Sequence, residues 1–168
     1  MSGRGGLARG GLARRLARAG CVAAWEEAGE LMEAAAGDQE VLAGLVTRRI
    51  AGEPLAWVTG WVAFAGHRIL VHPGVYVPRW QTEPLVARAA GLLPGDGMAA
   101  DLGTGSGALA VALGRARPRA RVVATDVDEA ACRCAAANGV EVFQGHLADP
   151  LPADLWGRVD VVVAVVPY

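Results

Sequence analysis

The run Asp101-Leu102-Gly103-Thr104-Gly105-Ser106-Gly107 constrains this chain more than any other segment. It follows a short apolar stretch at 98–102 and leads into a helical pattern over 106–116, so three glycines fall where a strand turns into a helix. Glycine there lets the backbone approach a bound molecule closely, and a helix start offers unpaired N–H groups. The spacing is Gly-x-Gly-x-Gly, not the Gly-x-Gly-x-x-Gly of dinucleotide-binding folds. This compact form suits a nucleoside carrying an amino acid, as in S-adenosylmethionine, better than one carrying a pyrophosphate. Asp126 ends the next strand pattern, 23 residues after Gly103. A carboxylate in that place can accept both ribose hydroxyls.

The surrounding pattern is consistent with such a loop. Apolar strands at 98–102, 121–125, 140–143 and 160–166 alternate with helices at 106–116 and 128–138. Continuous apolar strands separated by helices predict a parallel α/β sheet covered on both faces. Asp128 reads as the N-cap of the second helix, and Cys132 and Cys134, two apart, point to different faces and read as structural. Upstream, 81–92 reads as a helix with Gln81 or Thr82 near its start. Residues 57–77 read as a β-hairpin or meander with Phe64 and Tyr76 in its core. Three helices are predicted before it, at 7–20, 22–36 and 38–51, with Gly20 and Gly37 as stops, Asp38 as an N-cap and Gly52-Glu53-Pro54 closing the third. Leu7, Leu12, Leu16 and Val22 form the apolar stripe of the first. The expected division is a helical domain over 1–55, a connecting hairpin over 56–80 and an α/β domain over 81–168.

Composition removes several classes of function. With 168 residues, 53% of them hydrophobic, the chain can bury a core without staples. Sixteen basic residues, all Arg, against seventeen acidic ones leave a net charge of -1. That balance gives no overall case for nucleic acid or an anionic membrane as partner. Arg115, Arg117, Arg119 and Arg121 read as a solvated helix end and loop. The Arg-rich, acid-free first twenty residues read as an amphipathic surface helix rather than a transit peptide. No apolar stretch is long enough to span a bilayer. Cys21, Cys132 and Cys134 make no even framework and no metal spacing, which points to a reducing cytoplasm and no metal site.

Several motifs together resemble the protein-glutamine N5-methyltransferases that modify peptide chain release factors, including their actinobacterial-type relatives. The markers are Arg49-x-x-Gly52-Glu53-Pro54, Gly60-x-x-x-Phe64-x-Gly66 and Val77-Pro78-Arg79-x-x-Thr82-Glu83. They precede the Asp101–Gly107 run, Asp126, Asn138 and the closing Pro167-Tyr168, so the resemblance covers about residues 12–168. It implies an N-terminal helical bundle that docks a substrate protein, a connecting hairpin and a Rossmann-like class I methyltransferase domain. The implied cofactor is S-adenosylmethionine, held by Asp101, Gly103, Thr104, Gly105, Ser106, Gly107, Asp126, Val127 and Leu147, with Leu147 as an apolar wall against adenine. The implied partner is a release factor, or a protein with a similar glutamine-bearing loop, with no membrane and no direct nucleic acid. Arg79 and Glu83 either line the cofactor entrance or form a local salt bridge at the helix start.

In the family, Asn-Pro-Pro-Tyr closes the fourth strand, and the Asn side chain accepts from the target amide. The matching positions here are Val165, Val166, Pro167 and Tyr168. An isopropyl group at Val165 cannot accept an amide proton. The family also tends to carry an acid where this chain has His146, which reads as a surface loop histidine. Four strands are legible, fewer than such a sheet contains, and at roughly 30 residues per strand–helix step about 70–100 residues would be lacking. The expectation is a shortened chain whose fourth strand is an exposed apolar edge available for self-association. Two other functions stand beside the enzyme: an inactive S-adenosylmethionine-binding homologue, and an N6-adenine nucleic-acid methyltransferase, which the charge balance disfavours.

Overall fold

The computed structural model describes residues 3–165, with side chains from residue 8 onward. The side chain of Leu7 and the whole of Val166, Pro167 and Tyr168 lie outside the described residues. The chain divides into two compact units between Gly60 and Trp61.

The first unit contains four helices: α1 (Gly3–Arg18), α2 (Ala24–Ala34), α3 (Gln39–Ile50) and α4 (Leu55–Thr59). Leu16, Ala28, Leu31, Val46 and Val58 form its buried core, with Leu12 packed against it. Val22 does not continue the α1 stripe. Gly20, at φ 91°, ends the helix, so Val22 falls in the following turn and is fully exposed. Asp38 caps α3, accepting from the N–H groups of Glu40 and Val41 at 2.9 and 3.0 Å.

Arg49 pairs through both Nε and Nη2 with Glu27 of α2, at 2.7 and 3.2 Å, and its Nη1 donates to the Glu53 carbonyl at 3.2 Å. Its neighbour Arg48 pairs with the Glu53 carboxylate and donates to the Trp57 carbonyl at 3.0 Å. The Arg49-x-x-Gly52-Glu53-Pro54 motif therefore fastens the end of α3 to α2 and to α4. Helix α4 occupies residues expected to begin the hairpin. Pro54 has a φ of -53°, already suited to a helix start, and its carbonyl accepts from Trp57 and Val58. The helix lasts until Gly60 turns left-handed at φ 86°.

The second unit opens with β1 (Trp61–Phe64) and β2 (His67–Leu70), an antiparallel hairpin pairing Trp61 with Leu70 and Phe64 with His67. Ala65 and Gly66 make its turn at φ 49° and 77°, the doubly positive geometry that matches strand twist. A single 3-10 turn at Trp80–Thr82 leads into α5 (Glu83–Leu92). There follow β3 (Met98–Leu102), α6 (Ala108–Ala116), β4 (Arg121–Asp126), α7 (Glu129–Ala137), β5 (Glu141–Gln144) and β6 (Val161–Ala164).

These four later strands form one parallel sheet in the order β5-β4-β3-β6. The order reverses direction beside β3, and open α/β sheets bind ligands in the crevice outside the C-terminal strand ends at such a switch point. One sheet face, through Ala99 and Val163, packs on Ala89, Ala90 and Leu93 from the α5 region and Leu113 of α6. The other face, through Met98, Ala100 and Val123, is covered by Leu155 with Leu151 and Val159 beside it. That second cover comes from a segment with a single 3-10 turn, Ala153–Leu155, and no α-helix. It leaves an apolar groove of about 160 Å³ lined by Leu102, Leu151, Leu155, Trp156 and Val162.

Candidate functional site

The glycine loop lies between the C-terminal end of β3 and the start of α6, at the switch point. Gly103, Gly105 and Gly107 have φ values of 72°, 58° and 81°. At Gly107 a Cβ would meet Val140 Cγ2 at 2.9 Å and Ala135 Cβ at 3.1 Å, so glycine is needed there for both conformation and packing. Helix α6 consequently starts at Ala108, two residues later than the sequence pattern indicates. The loop is tied to β4, since Gly103 and Thr104 both donate N–H to the Thr125 carbonyl at 2.9 Å.

Two carboxylates organise the loop. Asp126 Oδ2 accepts from Gly105 N at 2.8 Å and Oδ1 from Asp128 N at 3.0 Å. Each carboxylate oxygen keeps a further lone pair for an outside donor. Asp128 in turn caps α7, accepting from Ala130 N at 2.8 Å. Asp101 is only 1% exposed; Thr104 Oγ1 donates to its Oδ2 at 2.6 Å, while Oδ1 has no hydrogen-bond partner. Burial pushes the Asp101 carboxyl up to about 6, with the Asp126 charge adding to the rise. Thr104, and more distantly the Ala110 main-chain N–H, act in the opposite direction.

Val127 and Leu147 are both exposed. Val127 directly follows Asp126, while Leu147 lies two residues past Gly145, whose N–H donates to the Asp126 carbonyl at 2.9 Å. Leu147 holds a left-handed φ of 46°. His146 is an exposed loop residue whose Nδ1 lies 3.8 Å from Asp149. The predicted cofactor residues from Asp101 through Leu147 thus gather at the C-terminal ends of β3, β4 and β5.

The strand β6 ends at Ala164, which pairs with Leu102, so Val165 stands one residue beyond the sheet, level with the start of the glycine loop. Val165 is half-buried and packs against the apolar cluster of Phe64, Ile69, Val86, Ala108 and Leu109. Its immediate successors, Val166, Pro167 and Tyr168, are outside the described residues.

Two expectations need correction. Tyr76 is not hairpin core: it is 52% exposed, and its Cβ lies 3.9 Å from where a Gly105 Cβ would project. The reason is that β2 already ends at Leu70, and the chain then turns at Pro73-Gly74 and brings Tyr76 against the loop. Arg79 and Glu83 do not pair with each other. The Arg79 guanidinium lies 5.9 Å from the Tyr76 ring centre, and Glu83 accepts the Ala65 N–H at 3.0 Å, bracing the hairpin turn. The sequence motifs mark Asn138 without indicating its role. Among the described residues there is no cluster of three or more His, Cys, Asp or Glu arranged to hold a metal, and no helix long and apolar enough to cross a membrane.

A parallel sheet with its switch point at β3, a glycine loop opening α6 and an acid closing β4 define a Rossmann-like domain of the methyltransferase class. The Methyltransferase small domain family matches residues 85–160. The chain is 36% identical to the release factor glutamine methyltransferase of Bordetella pertussis, over 74% of this chain and 48% of that protein. It is 41% identical to the release factor glutamine methyltransferase of Mycolicibacterium smegmatis, over 83% of this chain and 53% of the relative. It also matches the 4-amino-L-phenylalanine/4-methylamino-L-phenylalanine methyltransferase of Streptomyces pristinaespiralis, at 35% identity over 73% of this chain and 46% of that one. The chain carries a methyltransferase domain and is homologous over most of its length to these release factor glutamine methyltransferases. It spans about half the length of the curated relatives it matches.

Proposed function

We propose that the crevice over β3 and β4 binds S-adenosylmethionine and serves N5-methylation of a glutamine side chain in a protein such as a peptide chain release factor. The observation that carries the cofactor is Asp101, a buried carboxylate with one oxygen left without a partner beside a left-handed glycine loop. A buried acceptor of this kind suits the ammonium of an amino-acid moiety. The residues fit the rest of the molecule as well. Asp126 has lone pairs to spare for ribose hydroxyls, and Val127 and Leu147 present apolar surface for a base.

When bound, the cofactor supplies a methyl group already activated on a sulfonium. The protein's part is then to position the target nitrogen and exclude water. The names of the relatives support a protein glutamine as the acceptor. The first unit would dock the protein that carries it, and a reducing cytoplasm suits three free thiols. The near-neutral charge speaks against a nucleic-acid acceptor.

A second reading is cofactor binding without transfer, and it rests on Val165. This side chain packs into an apolar cluster and offers no acceptor for an amide proton. Labelled methyl transfer to a release factor separates the two, alongside S-adenosylhomocysteine calorimetry. Transfer supports the enzyme, binding without transfer supports the second reading, and absence of both refutes the cofactor site.

A further inference from the structure

Asn138 joins three parts of the second unit through one side chain. Its Oδ1 accepts from Leu70 N at 2.8 Å, and its Nδ2 donates to the Leu70 carbonyl at 2.9 Å. The amide therefore pairs with the last residue of β2 as a neighbouring strand would. The same Nδ2 donates to the Ser106 carbonyl, in the glycine loop, at 2.8 Å. A longer contact of 3.3 Å reaches the Cys134 carbonyl. With two hydrogens on Nδ2, the two short bonds take them and the long one is shared.

One turn earlier on the same helix, buried Cys134 reinforces the grip on the strand end. Its thiol donates to the Leu70 carbonyl and accepts the His72 N–H, both at 3.4 Å. From this anchor the chain runs through Pro73 and Gly74 to Tyr76, which lies against Gly105. The end of α7 thus holds both the Ser106 peptide and the root of the connector that crosses the loop.

We infer that Asn138 is a positioning residue for the cofactor loop, fixing the Ser106 peptide and the connector at 70–79 relative to each other. This rests on the S-adenosylmethionine reading of the crevice. The side chain bonds only main-chain groups, so it acts by holding the backbone that the cofactor reading sets against the ligand. Its consequence is coupling: cofactor binding and ordering of the connector rise and fall together.

Asn138→Asp tests this with almost no change of shape. A carboxylate still accepts from Leu70 N, but it has no hydrogen for Ser106 or Leu70 and sets an anionic oxygen against both carbonyls. Asn138→Ala removes all of the bonds without that repulsion. Asp160→Ala is the comparator, because it breaks a 2.8 Å bond to Met98 N at the opposite end of β3 from the loop. The readouts are S-adenosylhomocysteine affinity of the folded fraction by calorimetry, melting temperature, and amide hydrogen exchange.

Both Asn138 variants should weaken binding by about tenfold or more. They should also speed exchange at 70–79 and at 103–108 together. Asp160→Ala should lower the melting temperature and leave affinity within about twofold. Wild-type affinity in the Asn138 variants, or faster exchange confined to 136–140, overturns the inference. If the wild-type chain itself binds no S-adenosylhomocysteine, the cofactor reading fails and exchange alone decides the tie: joint loss of protection in the two segments supports it, and loss in one or neither refutes it.

Discussion

Ionising Asp101 places a charge on a side chain only 1% exposed, with one oxygen unbonded. Its carboxyl titrates near 3.8 when unfolded and at about 6 when folded. Between those values the native state keeps a proton that the unfolded chain has lost, so stability falls as pH rises from about 4 to about 6 and then levels off. The loss is on the order of 3 kcal/mol. Urea unfolding at about pH 4.5 and about pH 7.5 should show this decline in the wild type and a shallower one in Asp101→Asn. A parallel decline in the variant would assign the effect to other groups. In the same window S-adenosylhomocysteine affinity should rise with pH in the wild type, because an ammonium favours the ionised carboxylate, and should be weak and flat in the variant. Position 165 presents the opposite trade. Val165→Asn puts an amide against an apolar cluster, at a cost of about 1–3 kcal/mol, while restoring the acceptor that an amide substrate needs. Methyl transfer to a release factor should increase at least tenfold in this variant; unchanged transfer would show that the acceptor at this position does not limit the chain.

Among the helices of the first unit, two adjacent arginines separate a buried tie from an exposed one. Arg49 meets Glu27 through two nitrogens with side chains only 20% and 10% exposed, whereas Arg48 and Glu53 are 42% and 27% exposed. Arg49→Lys cannot reproduce the fork and should destabilise the chain by about 1–3 kcal/mol in urea unfolding. Arg48→Lys should have a much smaller effect, since solvent screens that pair. Equal losses in the two variants would mean that burial does not separate them. The Arg49–Glu27 partnership was not legible in the sequence, because the two residues lie 22 apart on different helices. What was legible followed from local chemistry: Asp38 and Asp128 as caps, Gly20 and Gly52 as stops, and the alternation of strands around the glycine loop. The short helix α4 was missed because its Trp and Val content reads as strand, while the proline before it decides the backbone. Tyr76 and Asn138 were misread or left without a role for a similar reason. Their surroundings depend on chain paths that return from far away, as the 68-residue separation of Leu70 and Asn138 shows.

At the scale of the whole molecule, the sheet ends in two edge strands, β5 and β6, and β6 is the more apolar of the two. Among the described residues β6 bonds to β3 along one side and has no strand on the other. Its outward Val162 is 58% exposed and borders the apolar groove beside Leu151, Leu155 and Trp156. A strand edge with free N–H and C=O groups next to an apolar surface is a template for pairing with another chain. The 168-residue chain should therefore associate with itself at micromolar concentration, through β6. Val162→Lys places a charge on that edge and should shift the sedimentation distribution toward monomer, while leaving S-adenosylhomocysteine affinity unchanged because Val162 pairs with Ala100, within the sheet and three residues before Gly103. A wild type that sediments as a monomer throughout, or a variant that still associates, would remove β6 as the contact.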